Sequence, residues 1–195
     1  GTFLDPKTGN MIHGRNQVTT FNPSSKTWTT FPNMTARSKP ACSYYDGRLY
    51  VFAGVQERPN ASHSIDPTIK LAVVESIAVN EEGTPTETSW TLEKDLPFGP
   101  RESPSSTSLP SGEGIIFAGG FNSWTTKDGV FHFEYFNTTY LFDGAKYNKL
   151  PDMPFKRSNF NLLSTKENIV YAFGGGEDEP SYSTCAYLDM NTYKG

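Results

Sequence analysis

The chain of 195 residues reads as an all-β protein. Three observations predict this class. Glycine and proline supply 31 residues, about 16% of the chain against about 12% in average usage. Apolar residues nowhere recur at i, i+3, i+4 and i+7 over three turns without a glycine or proline intervening. Short apolar or alternating runs recur instead, at 17–21, 48–53, 71–79, 114–118, 139–142, 169–173 and 184–188, each bounded by Gly, Pro, Asn, Asp or Ser. Many short strands divided by turns mean a sandwich, a barrel or a propeller. The 21 threonines and 27 aromatic residues suit pleated strands.

The runs follow a repeat. An arginine opens each unit at Arg37, Arg101 and Arg157, spaced 64 and 56 residues apart. An apolar run then closes on glycine at Gly54, on the pair Gly119-Gly120 and on the pair Gly174-Gly175. The last glycines are 66 and 55 residues apart, and Pro32, Pro97 and Pro151 are 65 and 54 apart, so three landmarks keep one register. The register divides the chain into units at 33–97 and 98–153, an incomplete unit at 154–195, and the end of an earlier unit at 1–32.

This pattern resembles the kelch repeat. The matching residues are the leading arginines, the strands 49–54, 115–120 and 169–175 with their glycines, and the exits Phe31-Pro32, Leu96-Pro97 and Leu150-Pro-Asp-Met-Pro154. Phe21-Asn22-Pro23 with Trp28, and Leu141-Phe142-Asp143 with Tyr147, match the second half of the motif. Ala53 stands for the first glycine in one unit and Tyr147 for the tryptophan in another. Both spacings exceed the usual ~50 residues, so loops are inserted. The resemblance implies a segment of a β-propeller of four-stranded antiparallel blades. About three blades fall short of the four to eight that close a ring, so an incomplete ring is expected. It also implies structural roles. The glycines would end strands in a crowded place that a Cβ would block. Trp28, Trp90 and Tyr147 would fill the wedge between blades. The three arginines would bridge backbone carbonyls between blades.

Charge and composition narrow the function. The net charge of −4, with both signs mixed along the chain, argues against a nucleic-acid binder. No apolar run approaches the ~18 residues of a membrane span. No basic-then-apolar leader is visible, so the cytoplasm is favoured over secretion. The sequons at Asn33, Asn60 and Asn137 sit in or beside expected loops where a glycan would be tolerated. Two cysteines, Cys42 and Cys185, exclude a disulfide scaffold and read as small packing residues. No histidine sits in a nucleophile elbow, and His132-Phe133-Glu134 and the 177–179 acidic run are weak metal patterns. The reading therefore assigns no catalytic residue, metal or cofactor.

Function on a repeat scaffold resides in loops. Two long ones, 55–69 and 121–137, carry Glu57, Arg58 and His63, and Trp124, Lys127, His132 and Tyr135. The expected activity is protein binding through these residues, and the resemblance implies the family's adaptor role, in which the propeller holds a target for a larger assembly. Two alternatives stay open: a kelch-scaffold enzyme of the galactose-oxidase or sugar-isomerase kind with its site in missing blades, and a secreted adhesion propeller. Oligomeric state is left open.

Overall fold

The computed structural model describes residues 2–4, 11–13, 15–57, 68–176 and 184–193. Two ribbons come first, β1 (Thr2–Leu4) with β2 (Met11–His13), and β3 (Thr19–Asn22) with β4 (Thr27–Thr30). Sheet I takes β5 (Ala41–Tyr45) and β6 (Arg48–Phe52). After a ribbon of β7 (Val55–Glu57) and β8 (Thr68–Lys70) it adds β9 (Val74–Ala78) and β10 (Thr91–Leu92). Sheet II repeats the plan with β11 (Ser105–Ser108) and β12 (Ile115–Ala118). A ribbon of β13 (Phe121–Thr125) and β14 (Phe131–Tyr135) follows, then β15 (Thr139–Phe142) and β16 (Tyr147–Leu150). Sheet III has β17 (Asn161–Ser164), β18 (Ile169–Phe173) and β19 (Cys185–Asp189). Sheets I and II are four-stranded, in the orders β10-β9-β6-β5 and β11-β12-β15-β16, and every strand pair is antiparallel. The described residues contain no helix.

The sheets stack face to face. Tyr50, Phe52 and Val74 of sheet I pack on Ile115, Phe117 and Phe142 of sheet II. Ile116 and Leu150 pack on Val170 and Met190, and Ala118 packs near Ala172, on the side of sheet III. Both faces of sheet II are thus covered, which is why all four residues of β12 are buried and the run shows no polar alternation. Burial of each of Ile115, Ile116 and Phe117 contributes about 1.5–3 kcal/mol. The first strands β5, β11 and β17 lie side by side, joined by small hydroxyls: Ser43 to Ser106 at 2.8 Å and Thr107 to Ser164 at 3.2 Å. Farther out the space between sheets I and II widens and takes large rings, with Phe98 stacked on Tyr140 at 4.0 Å and Tyr147 on Phe142 at 4.7 Å.

The glycines answer to local crowding. A Cβ on Gly54, Gly120 or Gly175 would lie 2.7, 2.9 or 2.3 Å from the carbonyl oxygen of Ser38, Glu102 or Ser158. All three also have φ between +73° and +97°. The position before them is looser in two units. Ala53 holds φ of 59° there, and a Cβ on Gly174 would meet nothing, whereas on Gly119 it would strike the Arg157 carbonyl at 2.6 Å.

The arginines depart from expectation. Their side chains work inside their own sheet, and it is the backbone that crosses to the preceding one. Arg37 Nη1 donates to the carbonyls of Ala53 and Val73, both at 3.1 Å, joining the end of β6 to the start of β9. Arg157 Nη1 donates to the equivalent carbonyls of Gly174 and Thr184, at 2.9 and 3.0 Å. Between sheets, the Gly54 N–H donates to the Arg101 carbonyl at 2.9 Å and the Gly120 N–H to the Arg157 carbonyl at 2.7 Å. The reason is geometric: the Arg37 and Arg157 guanidinium groups are buried against their own strand ends, where carbonyls converge, while Arg101 donates to the carbonyl of its neighbour Pro100.

Trp28 also departs from expectation. It is 69% exposed and pairs with Phe21 on the open face of the β3–β4 ribbon. Trp90 is half-buried against Phe31 and donates its indole N–H to the Pro32 carbonyl at 2.7 Å. The cysteines are free and exposed, so neither packs in a core.

Candidate functional site

The two long loops are not irregular. Each contains a β-ribbon that leaves its sheet after the second strand and returns to the third. The backbone fixes both in the same way: the Leu71 N–H donates to Gly54 at 2.8 Å and the Phe136 N–H to Gly120 at 3.0 Å. Leu71 and Phe136 then pair with the next arginine, Arg101 and Arg157. Arg15 holds the same relation to Arg37, so β1–β2 is a third ribbon of this kind, with β2 lying beside β7.

The β13–β14 ribbon carries an exposed aromatic surface. Register places Trp124 opposite His132, and their rings stack at 5.3 Å with 12° between planes. Phe121 stacks on Tyr135 at 5.4 Å near the base, on the opposite face, where Phe131 and Phe133 also meet edge to face at 4.5 Å. Glycine at 129, with φ of +85°, allows the tight reversal, and the Thr126 N–H closes it on the Val130 carbonyl at 2.8 Å. At this tip the Thr126 hydroxyl bonds the Asp128 carboxylate, which lies below the usual carboxylate range because of that bond. Lys127 is exposed beside it.

Of the residues expected to bind, Trp124, Lys127, His132 and Tyr135 therefore lie on one ribbon, with Trp124 and His132 in contact and Tyr135 on the other face. Glu57 ends β7, on the neighbouring ribbon. Arg58 and His63 lie outside the described residues, as does the sequon Asn60. Sequence reasoning missed Phe133 and Val130, which are 58% and 49% exposed at the same tip. The alternation Phe131-His-Phe-Glu-Tyr135 was the signal for a strand there. Asn33 is exposed, but Asn137 donates its amide to the Met153 carbonyl at 3.1 Å. A glycan at Asn137 would take one of the two hydrogens of that amide and leave the other for the Met153 carbonyl.

A second, polar locus lies at the arginine turns. Glu102 is buried and bonds Lys39 Nζ at 2.5 Å, with Lys70 Nζ 3.9 Å from its other oxygen. Glu75 is buried with Arg37, and its two oxygens accept the Thr35 N–H at 3.1 and 3.2 Å. Arg101 behaves differently from its two counterparts. Its guanidinium lies over the Phe136 ring, 3.3 Å from the centroid, donates to the Pro100 carbonyl at 3.1 Å, and has no partner at Nε among the described residues. Burial pushes it down to about 10, so it remains a cation at neutral pH. Among the described residues, no three His, Cys, Asp or Glu side chains group as a metal site would require.

These features define a chain of stacked antiparallel sheets with projecting ribbons, and the same fold exists among solved structures. One, titled "Structure of YjhT", superposes with a TM-score of 0.65 at 13% identity, over 88% of this chain and 48% of that one. The chain thus spans about half the length of that neighbour. No family model and no curated protein match the sequence.

Proposed function

We propose that the chain is a segment of a kelch-type β-propeller that binds a protein through its projecting ribbons. The observation that carries the binding reading is the β13–β14 tip, where Trp124, Val130 and Phe133 are 40%, 49% and 58% exposed on a two-stranded element. Exposed aromatic side chains with two χ angles give a large contact area for little entropy lost, and Trp and Tyr dominate interface energetics. The propeller reading is supported by the sheets touching at their first strands through small hydroxyls, with large rings farther out between sheets I and II, as wedge-shaped sectors of a ring would have. The adaptor role stays an analogy with the family.

The test places a photo-crosslinking residue at Lys127 and identifies the protein it captures. That protein is then titrated into the purified chain by calorimetry. Trp124→Ala and Phe133→Ala are each expected to weaken binding at least tenfold. Unchanged affinity in both variants would remove the ribbon from the interface.

A further inference from the structure

The outer ends of the two sheet interfaces are built differently. Arg48 opens β6 on the face that Tyr50 and Phe52 turn toward sheet II. Its guanidinium lies along that face. Nε donates to Ser76 Oγ at 2.9 Å, Nη1 and Nη2 grip the two oxygens of Glu87 at 3.0 and 3.1 Å, and Nη2 also reaches Thr91 Oγ1 at 3.3 Å. Glu87 is anchored in turn by the Ala78 N–H at 3.0 Å.

Arg48 stands six residues before Gly54, and the residue six before Gly120 is Gly114. Sheet II therefore lacks this guanidinium where it faces sheet III. A side chain has no room at that position: φ is +150°, and a Cβ would lie 2.2 Å from the Phe142 carbonyl oxygen. An open cleft of about 700 Å³ occupies the place instead. Register identifies its lining. Leu141 and Asn148 hold the positions of Ser76 and Thr91, and Asp143 holds that of Ala78. Met190 and Tyr193, which follow β19, form the opposite wall, and Tyr193 is fixed by donating its hydroxyl to the Lys149 carbonyl at 2.9 Å.

The cleft keeps the negative charge of the sister site. Asp143 brings a carboxylate to the place where Glu87 is anchored in sheet I, and the Asn148 amide donates to it at 3.4 Å. The backbone N–H groups of Lys146 and Ala145 hold this carboxyl below the usual carboxylate range, so it is an anion at neutral pH. Glu113 adds a second, exposed carboxylate at the rim. Lys149, also in the lining, pairs its ammonium with Asp152 and lies over the Tyr140 ring, on the face toward sheet I.

We infer that this cleft binds an arginine side chain presented by a peptide segment of a partner protein. A guanidinium forks onto a carboxylate and stacks on an aromatic ring, and Asp143 with Tyr193 offers both. The volume exceeds one guanidinium and suits a peptide-sized ligand, so neighbouring residues of the partner have room. The cleft lies at the Gly114 end of β12, whereas the β13–β14 ribbon leaves from the Gly120 end, so this site is separate from the ribbon surface.

The test titrates the intact chain with acetyl-Gly-Arg-Gly-amide, following the Asn148 side-chain amide and the Met190 methyl by NMR. A second titration uses the same peptide with citrulline, the neutral isostere, in place of arginine. Saturable shifts are expected with the arginine peptide, and binding at least about tenfold weaker with citrulline. Glu113→Gln, and Asp143→Asn, which keeps the oxygen that caps the turn, should each weaken the arginine peptide about fivefold, the size of a partly exposed ion pair, and leave the citrulline peptide unchanged. Glu113 is exposed, so its variant reports even if the Asp143 variant does not fold. Absence of saturable shifts up to millimolar peptide would overturn the site. Equal affinity for the two peptides would overturn the role of the guanidinium, and undiminished arginine binding in Glu113→Gln and in folded Asp143→Asn would overturn the location.

Discussion

Two buried arginines at equivalent positions should respond oppositely to the same substitution. Arg37 faces the buried Glu75 carboxylate, so Arg37→Met leaves that charge unpaired and should cost about 3–5 kcal/mol. Arg101 feels Glu134 only as a weaker charge without an ion-pair contact and has an unsatisfied Nε, so Arg101→Met, which keeps the packing on Phe136, should be neutral or stabilising. Urea denaturation midpoints of the two variants check this; equal losses would mean that the Phe136 contact replaces an ion pair. Tyr147 gives a pH prediction. Its buried hydroxyl lacks a partner among the described residues, and burial pushes its ionisation upward. The unfolded chain therefore loses this proton first. The stability it confers is present below pH about 10 and falls as pH rises above that. Tyr147→Phe should flatten the decline between pH 10 and 11 in a series of thermal melts, relative to the parent chain.

The glycine that ends each second strand can be tested against its neighbour. Gly174→Ala meets open space and carries only the left-handed backbone penalty, about 1–2 kcal/mol. Gly175→Ala carries the same penalty and also drives a Cβ to 2.3 Å from the Ser158 carbonyl, so its unfolding midpoint should fall clearly further. Parity between the two variants would show that the strand end relaxes freely. The strands themselves were legible where one feature dominated. The runs of β6, β12 and β18 end on these glycines, and the spacing of the arginines located the units. The first strands were harder, because Ser43, Ser105, Ser106 and Ser108 carry little apolar pattern; they pack by short hydroxyl contacts between neighbouring sheets. The ribbon at 121–135 was read as a loop because only its second strand, 131–135, alternates in polarity; in 121–125 Phe121 and Trp124 fall on opposite faces and the pattern is lost. The direction of each guanidinium was not legible either. It depends on contacts with distant segments, Glu75 for Arg37, Phe136 for Arg101 and Thr184 for Arg157. The cleft depends on Gly114, Leu141 and Asn148, which only register brings together.

At the scale of the whole molecule, the stack ends on two unlike apolar faces. In sheet III, Leu163, Tyr171 and Tyr187 lie in one cross-strand row, with Phe173 in the next. Leu163, Phe173 and Tyr187 are 55%, 41% and 72% exposed. Tyr171 and Phe173 hold the positions that Tyr50 and Phe52 hold in sheet I, where sheet II covers them. At the other end, Phe21 and Trp28 correspond to Phe142 and Tyr147. In both cases the strand turns on an Asn or Asp side chain that accepts two backbone N–H bonds, from Ser24 and Ser25 or from Ala145 and Lys146. Phe142 and Tyr147 pack against sheet I, whereas Phe21 and Trp28 face solvent. Each end thus presents one half of an interface that the molecule already forms internally, and the two halves differ, so copies of the chain should join head to tail. Sedimentation velocity over a concentration series is expected to show association. Trp28→Lys and Tyr187→Lys should each weaken it, because each introduces a charge into an apolar contact. An equimolar mixture of the two variants should associate more strongly than either alone, since one copy supplies an intact sheet III face and the other an intact β3–β4 face. A like-to-like contact between two identical faces would give no such rescue, and a parent chain that stays monomeric throughout the series would show that the end faces do not meet.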